Sequence, residues 1–215
     1  MKILIRNEEE KDYRKVEEVA RESFWNLYFP GCNEHLSIHK LRKSEDFIKE
    51  LTFVIEVDEE IIGSIFYSHS KIIMENDEEL KTITFGPVNI HPKYHRMGLG
   101  KKLITHSIEK AKELNYGAIL TLGYPYHYAP YGFVGGKKYN IAMEDNNYYI
   151  GLLALELKKD YLSNIKGYAS FTPSLDCTEE EINEFDKNFD LKEKKIQDSQ
   201  KEFEITCSTI DTKTY

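Results

Sequence analysis

The chain contains no long hydrophobic run. No apolar stretch in its 215 residues approaches the ~20 residues that a membrane-spanning helix needs. The segment Met1 to Arg6 is soon followed by acidic residues, and it lacks the longer apolar core and the small-residue cleavage site of a signal peptide. We therefore expect no membrane partner and a cytoplasmic location.

Cysteine is scarce and odd in number. Cys32, Cys177 and Cys207 are far apart in the sequence, so we expect neither a disulfide framework nor a cysteine-based zinc site. His35 and His39 have a spacing that could hold a metal ion on one helix face, but no third ligand follows nearby. The sequence therefore predicts no metal and a reducing compartment.

Positive charge is also in deficit. The 29 Lys and Arg residues against 37 Asp and Glu residues leave a net charge of −8, which disfavours nucleic-acid binding and suits a cationic or amine substrate better. Many of the 15 tyrosines lie within residues 124–149, where Lys137 and Lys138 are the main basic residues. We expect these rings to line a core or a pocket rather than to stack on bases.

The composition, with 40% hydrophobic and 31% charged residues, is typical of a globular protein. The chain turns polar after residue 157. We therefore expect one domain over residues 1–157 and an extension over residues 158–215 that packs on it.

Hydrophobic periodicity and turn residues predict the secondary structure. Strands are predicted at residues 2–6, 53–57, 61–73, 82–90, 118–122 and 150–157, and helices at 7–25, 34–51, 100–115 and 179–189. We expect capping boxes at Asn7 with Glu10 and at Thr178 with Glu181, and Gly117 as a C-cap. Residues 123–136 are predicted to be irregular, with at most one helical turn. The strand–loop–helix–strand order of residues 82–122 predicts a right-handed crossover between parallel strands.

Two glycines open a predicted helix directly after a strand. Gly98 and Gly100 allow close approach to backbone N–H groups at a helix start, which carries a partial positive charge of ~0.5. Arg96 and Lys101 add positive charge. This loop therefore predicts an anion site.

Two nucleotide motifs fail in this loop. A P-loop requires glycine where His95 stands and Ser or Thr where Lys102 stands, and a dinucleotide fingerprint requires glycine at Leu103. For the loop taken alone, a nucleotide phosphate site and a plain helix start with packing glycines remain alternatives.

The loop resembles the cofactor loop of the GNAT acetyltransferases, Gln/Arg-x-x-Gly-x-Gly/Ala, after a strand that ends in apolar-His-Pro. Gly98 and Gly100 match this pattern, and His95 replaces its first residue. The segment Leu122 to Phe133 is similar to the Leu-Gly-x-Pro-x-Tyr-Tyr-x-x-x-Gly-Phe signature of a bacterial GNAT subgroup, with Tyr124 where Asp is common. The resemblance spans about residues 2–157.

The resemblance implies an α/β fold of the GNAT type. Its central sheet is mixed and mostly antiparallel, with helices on both faces and a splayed parallel pair formed by residues 82–90 and 118–122. Acetyl-CoA is the implied cosubstrate between these strands. The implied cofactor-binding residues are Val88, Asn89 and Ile90 for the pantetheine arm, and His95, Arg96, Met97, Gly98, Leu99, Gly100 and Lys101 for the pyrophosphate.

The implied reaction is transfer of an acetyl group to a primary amine, in a small molecule or a peptide, by direct attack on the thioester. Tyr128 occupies the position of the family's general-acid tyrosine. The base stays open, because residues 82–90 contain no Glu: Glu34, His35, His127, a water relay and no dedicated base are the alternatives. Glu34, His35, Tyr124 and His127 are the expected lining of the acceptor pocket.

Two other functions remain open at this point. The first is a non-catalytic acyl-CoA sensor with the same fold, and the second is a nucleotide phosphate-binding protein. The acceptor is not identified by the sequence, and a homodimer is possible.

Overall fold

A computed structural model describes residues 1–214, which form two compact units. The first unit contains Met1–Tyr67, Gly86–Lys110 and Pro173–Gln200. The second contains Ser68–Phe85, Ala111–Thr172 and the residues from Lys201 onward. The expected boundary at residue 157 stays a prediction.

Nine strands form one sheet in the described chain. They are β1 (Ile3–Asn7), β2 (Phe53–Val57), β3 (Glu60–Met74), β4 (Glu79–Ile90), β5 (Ala118–Leu122), β6 (Val134–Gly135), β7 (Ile141–Ala142), β8 (Leu152–Glu156) and β9 (Gly167–Ser170). The order is β1-β2-β3-β4-β5-β8-β6, and β9 pairs with β3 and β7. β4 and β5 are parallel, as are the short β7 and β9, whereas β2 is antiparallel to β1 and β3, and β8 to β5 and β6. This confirms the predicted mixed sheet.

Six helices accompany the sheet within residues 1–214. They are α1 (Tyr13–Phe24), α2 (Glu34–Leu41), α3 (Leu99–Glu113), α4 (Pro125–Tyr128), α5 (Glu179–Asp186) and α6 (Asp198–Ser208). The capping box of Thr178 with Glu181 at the start of α5 is confirmed.

Helices cover both faces of β3 in the first unit. Consecutive strand residues point to opposite faces. Phe66 packs in a buried cluster with Val16 and Ala20 of α1 and Ile38 of α2. Tyr67 instead hydrogen-bonds through its hydroxyl to Ser107 of α3, at 3.0 Å. The predicted arrangement of helices on both faces is therefore confirmed.

The predicted start of the first helix is wrong. Asn7 remains in β1, where it pairs with Phe53, and its side-chain amide bonds to the Thr52 carbonyl at 3.1 Å. The capping box is formed by Glu9 with Asp12, at the 3₁₀ turn that precedes α1. Asn7 therefore pairs in the sheet and does not cap the helix, although the local sequence predicted a cap at this residue.

The predicted second helix is too long. α2 ends at Leu41, and a separate 3₁₀ turn covers Lys49–Leu51. The backbone N–H of Ile48 bonds to the Tyr67 carbonyl at 3.0 Å, so it has no helical acceptor. Tertiary contacts therefore end the helix where the local pattern does not.

Gly117 is not the C-cap of α3. Asn115 has the left-handed backbone, with φ +65°. Gly117 is required for a different reason, because a Cβ there would lie 2.2 Å from the Tyr161 ring.

The segment after β5 is more helical than predicted, since α4 is followed at once by a 3₁₀ turn over Ala129–Tyr131. Beyond residue 157, β9 and α6 were not predicted, and α5 ends at Asp186 rather than Phe189.

Candidate active site

The loop between β4 and α3 has an unusual backbone. Arg96 and Gly98 are both left-handed, with φ +61° and φ +75°. A left-handed residue in a turn can direct neighbouring N–H groups toward one side, where they are able to bind an anion. The first unit therefore has, at the predicted position, a backbone that suits such a cradle.

The start of α3 supplies further donors. The Gly98 carbonyl accepts the first helical bond, from the Lys102 N–H at 3.1 Å. The amides that follow Gly98 have no acceptor within the helix, and they lie at its positive end. The first turn of α3, all of it within the described chain, contains no acidic residue. A diphosphate fits this charge and geometry.

His95 holds the loop through a side-chain hydrogen bond. Its Nε2–H donates to the Ile90 carbonyl at 2.7 Å. Because the ring is used in this contact, the cradle for an anion is formed by the backbone after it. His95, which replaces the Gln or Arg of the family pattern, therefore has a structural role in this loop.

The parallel ladder between β4 and β5 is short. The parallel ladder joins Ile83 to Ile119 and Thr84 to Leu120, and no further pair with β5 occurs among residues 1–214, although β4 continues to Ile90. Pro87 follows Gly86 and has no N–H to offer a neighbouring strand. The predicted parallel pairing of these two strands is therefore confirmed at Ile83 and Thr84.

Asn89 contributes an unusual buried side chain. Its Oδ1 accepts from the N–H and the hydroxyl of Ser64, at 2.8 and 2.9 Å. Its Nδ2 has no hydrogen-bond partner among residues 1–214, although the residue is 5% exposed. This unsatisfied amide donor lies at the end of β4, among the residues that the resemblance implies for the pantetheine arm.

Gly98→Ala is expected to weaken acetyl-CoA binding about tenfold or more. A Cβ at Gly98 meets no protein atom within 4 Å, so it projects into the space that an anion on the cradle needs. The left-handed backbone adds a stability loss of about 1–2 kcal/mol. Calorimetric titration with acetyl-CoA measures the affinity, and thermal unfolding measures the stability.

Gly31→Ala is the matched control. Gly31 is also left-handed, with φ +96°, and its Cβ would meet only the flexible end of Lys194, at 3.2 Å. This variant should lose similar stability and keep its affinity for acetyl-CoA. Equal affinity losses in the two variants would contradict an anion cradle at Gly98.

Tyr128 lies in the second unit, on α4. Its ring packs against Phe85 and Phe133, with centroid distances of 5.3 and 5.7 Å. A Cβ at Gly123 would lie 2.6 Å from this ring, so glycine is required for the close approach. Burial raises the pKa of Tyr128 to about 12. Its hydroxyl has no hydrogen-bond partner among residues 1–214, so the donor is available to a ligand.

Tyr124 and His127 belong to the same segment. Tyr124 is buried, and its ring lies edge-on to His127 at 5.4 Å. His127 is exposed at its surface edge, and partial burial lowers its pKa. The described structure therefore brings both residues together with Tyr128 on one short stretch of helix.

Glu34 begins α2 in the first unit and is half-buried. Its Oε2 accepts from the Asn33 N–H at 3.1 Å, and no cationic side chain among residues 1–214 pairs with it. Burial raises the pKa of this carboxyl to about 7. A carboxyl with this pKa exchanges protons near neutral pH.

His35 lies inside a packed cluster. It is fully buried, with Nε2 at 3.1 Å from Asp186 Oδ1 and Nδ1 at 3.5 Å from Cys32 Sγ. Burial lowers its pKa to about 4. Asp186, which also accepts from Arg21 Nε at 2.8 Å, comes from the C-terminal part of the chain. Sequence patterns did not indicate Asp186, because the pairing spans 151 residues.

Glu34→Gln is expected to stabilise the protein only at neutral and alkaline pH. The carboxyl has a folded pKa near 7 against an ordinary 4.5, so its ionisation opposes folding as pH rises through this interval. The gain should be near zero at pH 4 and reach about 3 kcal/mol or less at pH 8, from about 1.4 kcal/mol per pKa unit. Urea unfolding across this pH range measures it.

Glu181→Gln is the control of opposite sign. A backbone hydrogen bond from Thr178 and the Lys40 ammonium lower the pKa of Glu181. Its removal should therefore destabilise the protein at pH 8. A Glu34→Gln effect that is the same at pH 4 and pH 8 would contradict the raised pKa.

No group of three or more His, Cys, Asp or Glu side chains within residues 1–214 is arranged to hold a metal ion. Across the same residues, no helix has both the length and the apolar character needed to cross a membrane.

Comparisons with known proteins find similar sequences. The sequence profile of the "Acetyltransferase (GNAT) family" matches residues 18–130. A protein of Escherichia coli strain K12, the "Uncharacterized N-acetyltransferase YhbS", is 30% identical over 132 residues, which cover 61% of this chain and 73% of that protein.

Two solved structures share the fold. YhbS from Escherichia coli, in complex with CoA, has a TM-score of 0.71 and 23% identity, with 81% of this chain and 92% of that chain covered. A GNAT family acetyltransferase from Brucella melitensis, in complex with acetyl-CoA, has a TM-score of 0.66 and 20% identity, with 81% and 99% covered.

Proposed function

Because the chain belongs to the GNAT acetyltransferase family, we propose that it transfers the acetyl group of acetyl-CoA to a primary amine. The observation that carries the proposal is the anion cradle at Arg96 and Gly98, which continues into the free amides of α3. When bound, acetyl-CoA supplies the activated acetyl group. The bound CoA of the YhbS structure and the bound acetyl-CoA of the Brucella structure support this choice of donor.

The first unit contributes the donor-binding residues. The backbone from Met97 to Lys101 binds the pyrophosphate, with the Arg96 and Lys101 side chains adding positive charge. The backbone of Val88 and Ile90 and the amide of Asn89 hold the pantetheine arm. His95 keeps the loop in place through Ile90.

Glu34 is the strongest of the three candidate bases. A primary amine with a pKa of ~10.4 is mostly protonated at neutral pH, so the attacking nitrogen has to lose a proton. The Glu34 carboxyl, with its pKa of about 7, is able to accept such a proton near neutral pH. His35 is unsuited, because it is enclosed and both its ring nitrogens have partners. His127 is accessible and has a lowered pKa, which leaves it as the second candidate.

Tyr128 stabilises the sulfur that leaves as the acetyl group is transferred. Its hydroxyl is unpartnered and protonated at every pH below its pKa of about 12. It therefore donates a hydrogen bond to the developing negative charge.

A turnover assay tests the proposed function. The purified chain is mixed with acetyl-CoA and each member of an amine panel, and free thiol is measured. We expect thiol release with at least one amine, and slower release by the Gly98→Ala variant at acetyl-CoA concentrations that do not saturate it. Acetyl-CoA binding without turnover on any amine would favour the sensor function, and tighter binding of ATP or NAD than of CoA would favour the nucleotide-binding function.

A further inference from the structure

The part of the C-terminal helix α6 from Lys201 onward belongs to the second unit, and backbone hydrogen bonds hold the chain that follows it. The Ile150 N–H bonds to the Thr209 carbonyl at 3.0 Å, and the Asp211 N–H bonds to the Tyr148 carbonyl at 2.6 Å. Tyr149 and Ile210 form an isolated antiparallel bridge between these bonds. Because backbone bonds fix the chain just after α6, the residues of this helix keep a defined position against the tyrosine-rich segment.

α6 brings one carboxylate to the aromatic rings of α4. The Tyr126 hydroxyl donates to Glu202 Oε1 at 2.8 Å. Phe203, the next residue, lies edge-on to Tyr124, with a centroid distance of 6.4 Å. The Tyr126 ring stacks on Tyr124 at 5.4 Å and lies edge-on to His127 at 4.4 Å. Glu202 therefore lies beside a cluster of neutral rings.

The negative charge of Glu202 is not balanced within the protein. No Lys, Arg or His side chain among residues 1–214 forms an ion pair with it. Burial and the Glu202 carboxylate both raise the pKa values of Tyr124 and Tyr126. The pKa of His127 is lowered, because burial outweighs the opposite effect of the Glu202 carboxylate. The groups that face Glu202 from α4 are therefore uncharged at neutral pH.

This combination attracts a cation. A carboxylate forms charge-assisted hydrogen bonds with an ammonium or guanidinium group, and the faces of tyrosine rings attract positive charge as well. Tyr126 is 58% exposed and Glu202 is exposed, so a solute can reach both. Tyr126 contacts Tyr124 and His127, which are two of the residues expected to line the acceptor pocket.

We propose that Glu202, with the ring of Tyr126, binds a second positive charge of the amine acceptor. The acceptor class is then a diamine or another amine with a cationic group apart from the one acetylated. This inference rests on the proposed acetyl transfer. The reacting nitrogen has to be neutral, whereas the nitrogen at Glu202 remains protonated and gains from the carboxylate.

A matched pair of probes tests the proposal. 1,5-Diaminopentane and 1-aminopentane have the same carbon chain and differ in the second ammonium group. We expect kcat/KM of the wild type to favour the diamine about tenfold, as a partly exposed carboxylate and one ring contact together suggest. Glu202→Gln keeps an acceptor oxygen for Tyr126 but removes the charge. It should raise KM for the diamine, leave its kcat nearly unchanged, and abolish the preference.

Glu204→Gln is the matched control, because Glu204 is an exposed carboxylate on the same helix. It should keep the wild-type preference for the diamine. Turnover of both amines with no preference, or a preference that survives Glu202→Gln, would overturn the inference and leave the proposed function standing.

Calorimetric titration of 1,5-diaminopentane, without acetyl-CoA, tests the cation site at Glu202 separately from the proposed acetyl transfer. Binding to the wild type that Glu202→Gln weakens supports the cation site, even where no amine is acetylated and the proposed function fails. Absence of binding to the wild type, at concentrations at which turnover is measured, would overturn the cation site.

Discussion

Tyr128→Phe is expected to lower kcat about a hundredfold, with KM for acetyl-CoA within about threefold of the wild type. The substitution removes the only polar atom of the side chain, and it keeps the ring that packs on Phe85 and Phe133. The hydroxyl makes no bond to residues 1–214, so its loss leaves no protein group unsatisfied. Steady-state kinetics with the amine identified in the panel measures the effect.

The raised pKa of Tyr128 determines how it acts. Proton transfer from a phenol with a pKa of about 12 to a thiolate with a pKa of ~8.5 is uphill by about 5 kcal/mol. A hydrogen bond that strengthens as the sulfur becomes negative has no such penalty. The pH–rate profile should therefore show no alkaline loss due to Tyr128 below about pH 11.

Tyr139→Phe is the control for this variant. Tyr139 is in the same unit, outside α4, and its hydroxyl also has no hydrogen-bond partner among residues 1–214. Its kcat should stay near that of the wild type. A Tyr128→Phe enzyme with near-normal kcat would remove Tyr128 from the mechanism.

Arg42→Met is expected to destabilise the protein by about 3–5 kcal/mol. Arg42 lies just after α2 and bonds to both Glu8 and Glu17 at 2.6 Å, and the three side chains are 4%, 3% and 8% exposed. Methionine fills similar volume but leaves Glu8 buried without a cation, and it leaves Glu17 with the His39 ring nitrogen, at 3.0 Å, in place of Arg42. Urea unfolding at pH 7 measures the loss of stability.

The loss of stability in Arg42→Met should be smaller at acidic pH. Burial raises the pKa of Glu8, and without Arg42 its carboxyl takes up a proton more readily, which relieves the uncompensated charge. Lys11→Met serves as the control, because its ion pair with Glu9 is exposed to solvent and should contribute little to stability. A pH-independent loss of similar size in both variants would contradict a buried charge cluster at Arg42.

Local signals in the sequence were reliable where short-range geometry decides. The strands at 53–57 and 118–122 were predicted at the bounds that the structure has. The cap of Thr178 with Glu181 was also predicted correctly, because it needs only residues three apart. The cap at Asn7 was wrong, since strand pairing with Phe53 competes for the same residue.

The sequence by itself determined the helix start on which the proposed anion cradle depends. Gly98 and Gly100 suffice to predict that start, because its donors are backbone groups within a few residues. The left-handed backbone of Arg96 is visible only in the structure. Only the tertiary structure decided the surroundings of the side chains. The enclosure of His35 by Asp186, the raised pKa of Glu34 and the contact of Glu202 with Tyr126 arise when distant segments pack, and hydrophobic periodicity carries no information about such pairings.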